Sequence, residues 1–142
     1  MPPIPPFTRL RMPTARDIMS KRFHTVKRDA TVSDAVLLMN EHNCSSVIVA
    51  PQRELDTYGI LTMRDVVYNV VAKGLRVHET RVHEVMTKPL IVAMPQMSIK
   101  HVARLMANCK VSRMPVIDGN ELVGLVRLRD ILTDLHLIDS LK

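Results

Sequence analysis

The sequence predicts an α/β (α+β) fold built from two repeats of the order β-α-β-β-α. Three observations predict it. The stretch Gly59-Ile60-Leu61-Thr62-Met63-Arg64-Asp65-Val66-Val67 reads as a short apolar strand running into a helix, and a close copy stands at Gly124-Leu125-Val126-Arg127-Leu128-Arg129-Asp130-Ile131-Leu132. Asp17-Ile18-Met19-Ser20-Lys21 matches Glu84-Val85-Met86-Thr87-Lys88 at an offset of 67 residues. Between these ends, each half holds strand-like apolar runs and one segment with helical spacing. A tandem repeat of about 60 residues decides the architecture, because both copies must bury the same faces.

The elements follow in order. Residues 1–14 hold five of the 9 prolines and form an arm biased toward extended or polyproline conformation. The first repeat spans 15–73, a polar connector broken at Gly74 spans 74–82, the second repeat spans 83–137, and 138–142 form a short tail. Within the repeats, extended pieces (His24-Thr25-Val26 and Leu90-Ile91-Val92-Ala93) precede Thr31 and Ser98, residues suited to cap a helix. The helices that follow carry Val32, Ala35, Val36 and Met39, and Ile99, Val102 and Met106, at helical spacing. Two strands come next, Val47-Ile48-Val49 to Leu61 and Met114-Pro115-Val116-Ile117 to Val126. Their connections differ: Pro51 to Thr57 is a long loop, whereas Asp118-Gly119-Asn120 is a tight hairpin turn. A second helix closes each repeat, about Met63 to Ala72 and Leu128 to Leu135.

Composition narrows the function. Apolar residues make up 46% of the 142, aromatics only 3%, so Val, Ile, Leu and the 10 Met fill the core and no aromatic platform for single-stranded nucleic acid is present. The net charge of +6 is spread over both halves, which marks no basic arm but suits an anionic partner as well as a plain solvated surface. Two cysteines without metal-ligand spacing, six scattered histidines, and no ~20-residue apolar run give the expectation of a cytoplasmic protein with no metal site and no membrane span. No nucleophile elbow, Walker-type loop or acid/base pair is visible, so an enzyme is not expected.

The motif itself admits two readings. Thr62 stands where a strand gives way to a helix, so unpaired backbone N–H groups and the helix dipole favour an anion there, with the Thr62 hydroxyl as a further donor. Asp65, one turn on, can accept from both ribose hydroxyls of a nucleotide, and Gly59 lets backbone approach a ligand. The same Thr-x-x-Asp pattern is also close to a capping box, which needs no ligand. In the second copy Arg127 replaces the hydroxyl. It can reach a phosphate beside Asp130, or pair with Asp130 and fill the site. Arg64 and Arg129 occupy matching positions, and each alone suits a solvated surface.

The ordered, twice-occurring set of Asp17-Ile18-Met19-Ser20, Glu84-Val85-Met86-Thr87, Ser112-Arg113-Met114-Pro115-Val116-Ile117-Asp118 and the two Gly-x-x-x-x-x-Asp ends resembles the cystathionine-β-synthase (CBS) domain, and residues from Ala15 to Leu137 resemble a tandem CBS pair. The resemblance implies two repeats related by a pseudo-twofold axis, clefts between them that take adenosine-containing ligands, and dimerisation into a flat disk. It places Arg113 where a basic residue often faces the phosphates, with Ser46 as its counterpart, and Thr25 where the backbone meets the base, with Val92 as counterpart. The function expected is a regulatory module that binds AMP, ADP, ATP, NAD or S-adenosylmethionine at Thr25, Gly59, Thr62, Arg64, Asp65, Arg113, Arg127, Arg129 and Asp130, and signals to a partner protein as a homodimer. The alternative is a dimerisation module with vestigial clefts. Nucleic-acid binding rests on the net charge alone.

Overall fold

The computed structural model describes residues 13–54, 56–88 and 91–133. The expectations for most of the proline-rich arm, for the end of the last helix at Asp134 and Leu135, and for the 138–142 tail lie outside them. The chain divides into two compact units, residues 23–90 and residues 1–22 joined to residues 91–142. Each repeat therefore gives its opening segment to the unit that holds the other repeat's strands.

In the 23–90 unit, β1 (Thr25–Lys27) pairs parallel with β2 (Ser46–Ala50), and β2 pairs antiparallel with β3 (Gly59–Thr62). A parallel pair needs a crossover, and a helix (Val32–Glu41) supplies it. Thr31 caps this helix: its Oγ1 accepts from Asp34 N at 3.1 Å, while Asp34 accepts from Thr31 N at 3.3 Å. The predicted second helix begins at Met63 as expected. After Met63–Val66 it widens into a π-helical turn over Val67–Val71, closed by an Ala72 N–H to Val67 C=O bond of 2.8 Å. Val66 and Val70 are both buried against Val32, Ala35, Met39, Val47, Val49 and Leu61. A short helix, Val82–Val85, closes the unit with Val82 fully buried in the same core.

In the other unit, β4 (Arg113–Asp118) and β5 (Glu121–Arg127) form a hairpin whose two-residue turn has Gly119 at φ +64°. Positive φ at the first central residue suits the right-handed twist of the strands. The register shifts at Val116/Ile117. Of the expected extended piece, Leu90 lies outside the described residues, and the rest makes a parallel bridge at Ala93, held by Ala93 N to Pro115 C=O and Ile117 N to Ala93 C=O, both 2.9 Å. A helix (Ile99–Cys109), capped by Ser98 Oγ on His101 N at 3.2 Å, ends at Lys110 in left-handed conformation, and a final helix begins at Leu128 (Leu128–Thr133). Ala15 and Ile18, from the short helix Ala15–Ile18, complete the core of Ile99, Val102, Met106, Met114, Val116 and Val126.

The two units repeat one device. Thr87 exchanges backbone bonds with Ile60 (2.7 and 2.8 Å), and Ser20 does the same with Leu125 (2.9 and 3.0 Å). These pairs bring Met86 over Gly59 and Met19 over Gly124: a Cβ at Gly59 would stand 2.6 Å from the Met86 sulfur, and one at Gly124 would run into the Met19 side chain. The glycines are required by this packing. In place of a backbone opened toward a ligand, the space over Gly59 is filled by thioether.

Candidate functional site

In the 23–90 unit, β3 delivers Thr62 to the helix start. Thr62 Oγ1 accepts from Asp65 N at 3.1 Å, and Asp65 Oδ2 accepts from Thr62 N at 3.0 Å, so a reciprocal capping box is formed. The Met63 amide donates to Ser45 C=O at 2.9 Å. Three of the four amides expected to meet an anion, those of Thr62, Met63 and Asp65, are thus already committed. What the box leaves is Asp65 Oδ1, whose neighbour is the Thr87 hydroxyl at 3.5 Å, the outer limit of a hydrogen bond. Asp65 is half-buried, and the Thr62 hydroxyl hydrogen can still turn toward an acceptor while its lone pair holds the Asp65 amide.

Thr25 is exposed on β1 opposite Ile48, and Thr62 lies opposite Ser46, so the two threonines flank β2 two residues apart. Arg64 is exposed and its guanidinium stands 6.0 Å from the centre of the exposed Tyr68 ring. Thr25, Gly59, Thr62, Arg64 and Asp65 therefore share one unit, and Arg113, Arg127, Arg129 and Asp130 the other.

The second copy is built differently. Arg127 grips Asp130 with both teeth of its fork, Nε to Oδ2 at 3.0 Å and Nη2 to Oδ1 at 2.8 Å, and its backbone N–H adds a third bond to Oδ2 at 2.8 Å. Asp130 is 11% exposed and Arg127 35%. The hydrogen bond to Asp130 raises the Arg127 pKa, against the opposing effect of burial. Of the two sequence readings, pairing with Asp130 is the one the structure adopts. Both carboxylate oxygens are spent on it. Arg113 lies directly across the strands from Arg127, as Ser46 lies across from Thr62, and is half-buried; Arg129 is exposed.

Sequence reasoning missed Thr87 and Met86 as neighbours of the first motif. Their own motif was visible as a repeat opening, but nothing in its spacing shows that it returns to the sheet of residues that precede it by more than twenty positions. Among the described residues no helix is long and apolar enough to cross a membrane, and no group of three or more His, Cys, Asp or Glu is placed to hold a metal ion.

A sequence model of the CBS domain matches residues 15–72 and again residues 82–137. The chain belongs to the CBS domain family. Among its relatives, the CBS domain-containing protein YhcV of Bacillus subtilis is 37% identical over 120 residues, which cover 84% of each chain. The solved hexameric CBS-CP12 protein from bloom-forming cyanobacteria is 40% identical, superposes with a TM-score of 0.83, and is matched over 91% of this chain and 75% of that one. A CBS domain pair solved with 5′-methylthioadenosine and S-adenosyl-L-methionine is 25% identical, with a TM-score of 0.75 over 89% of this chain and 98% of that one. Both units of this CBS chain thus carry the family's strand-to-helix motif, one with a capping box and one with an ion pair in the corresponding place.

Proposed function

We propose that this CBS pair is a ligand-sensing regulatory module with one working nucleotide site per chain, centred on Thr62 and Asp65. The observation that carries the reading is the difference between the two aspartates. Asp65 keeps one carboxylate oxygen engaged only by a 3.5 Å contact to Thr87, whereas Asp130 has both oxygens bound by Arg127. A ribose needs an acceptor for its hydroxyls, and Asp65 offers one. An adenosine-containing ligand (AMP, ADP, ATP, NAD or S-adenosylmethionine) is the class that fits, supported by the adenosyl compounds bound in the related CBS pair. The role is regulatory and not catalytic: occupancy shifts the population of arrangements that a partner protein reads. A homodimer is the working form we favour. Its support is the exposed apolar residues on the second helix of each repeat, Met63, Val67, Tyr68 and Val71 in one and Leu128 and Leu132 in the other.

Thermal unfolding of the purified chain with each of the five compounds tests this. A ligand at about 100 times its Kd adds roughly 2.7 kcal/mol to stability. That gain is expected for at least one compound in the wild type and is lost in D65A. No shift with any of them at millimolar concentration would leave the dimerisation-only module as the correct reading.

A further inference from the structure

The loop that lengthens the first repeat builds a pocket whose lining the second repeat does not reproduce. Arg28, Gln52, Arg53, Asp56 and His83 line a cavity of ≈ 240 Å³ in the 23–90 unit. It lies past the end of β1 and β2, where Lys27 pairs with Ala50, four residues along β2 from Ser46, the partner of Thr62. At about 3.3 Å per residue that is roughly 13 Å from the Thr62–Asp65 motif. In the other repeat the turn is the tight Gly119-Asn120 hairpin, and the residue 67 positions after Arg28 is the buried Pro95.

Arg28 is the centre of this pocket. Its side chain is 18% exposed, yet its acidic neighbour, Asp56, stands 3.9 Å from Nε, too far for a hydrogen bond. Asp56 Oδ2 is instead used by the loop itself, accepting from Arg53 N at 2.9 Å and Gln52 N at 3.2 Å. Those bonds, the Arg53 amide first, with the Arg28 and Arg53 charges adding and burial opposing, hold the Asp56 carboxyl below the usual carboxylate range. Arg28 Nη1 is buried with no hydrogen-bond partner among the described residues. A guanidinium donor in that state costs free energy until an acceptor arrives. Arg53 and His83 are exposed and face the same cavity. Two guanidinium groups and an imidazole against one carboxylate that is already bonded make an electropositive pocket for an oxyanion.

We infer that Arg28, Arg53 and His83 form a second, anion-binding site for the phosphate of a small phosphorylated molecule, separate from the Thr62–Asp65 motif. The test titrates the ¹⁵N-labelled full chain with sodium pyrophosphate at constant ionic strength, following the arginine Nε–H and His83 side-chain signals. Saturable shifts at Arg28, Arg53 and His83 are expected, and they persist in D65A. In R28M the apparent affinity falls about tenfold or more, the scale of a lost charge-assisted pair. R53A/H83A, which changes only exposed residues, weakens binding as well and keeps the test valid if R28M does not fold. Shifts that do not saturate, that chloride reproduces, or that survive unchanged in both variants would overturn the assignment.

Discussion

Replacing Arg127 by threonine gives the second repeat the hydroxyl that Thr62 supplies in the first. The substitution removes two side-chain bonds to Asp130 (3.0 and 2.8 Å) and leaves the backbone amide bond of 2.8 Å in place. Breaking a charge-assisted pair at a buried carboxylate costs a few kcal/mol. Here Arg127 is 35% exposed, so solvent already screens the pair. A new capping hydroxyl returns part of the loss. The net cost is therefore about 1–2 kcal/mol, which for a chain of this size lowers Tm by roughly 3–6 °C. The same change frees Asp130 Oδ1. Isothermal titration with the adenosyl compound that stabilises the wild type should then give one site per chain in the wild type and two in R127T. A wild type that already binds two, or an R127T protein destabilised as stated but still binding one, would refute the idea that this ion pair occupies the second site.

Three further outcomes follow from the geometry. G59A should lose about 1–3 kcal/mol in urea unfolding, since its methyl meets the Met86 sulfur, and pairing it with M86A should recover part of that loss; strict additivity would separate the two residues. T62A should cost about 0.5–2 kcal/mol through the lost cap, and T62S much less, as read by thermal unfolding without ligand. Asp56 has a folded pKa below its unfolded one, so its charge contributes stability above the ordinary carboxylate range and loses it as pH falls through the lowered value. The stability difference between wild type and D56N should therefore shrink steadily on acidification below about pH 4; a difference independent of pH would contradict the shift.

The repeat was legible because both copies solve the same local problems with similar residues. Thr31 and Ser98 cap helices as their side-chain chemistry requires, and Asp118-Gly119-Asn120 turns as tightly as its glycine permits. The π-helical turn at Val67–Val71 was not legible, since five apolar or neutral residues in a row fit an ordinary helix equally well, and Val66 and Val70, four apart, share one face of it in any case. At the site, Thr62 and Asp65 could be found but their mutual bonds could not be separated from ligand binding, because a capping box and an anion site use the same atoms. The Arg127 alternatives were open for a similar reason: reach alone allows either partner, and only the burial of Asp130 selects one. Arg28 gave no signal, because a single arginine after a strand looks like any solvated residue before its neighbours are known.

The way Met86 and Thr87 serve residues 59–65, while Met19 and Ser20 serve residues 124–125, has a consequence for dissection of the protein. A fragment ended inside the 74–82 connector keeps a complete sequence repeat but exposes the bare Gly59 surface, and its own Met19 strap has no sheet to cover. A cut in the connector therefore costs each half its strap, although each half keeps its whole sequence repeat.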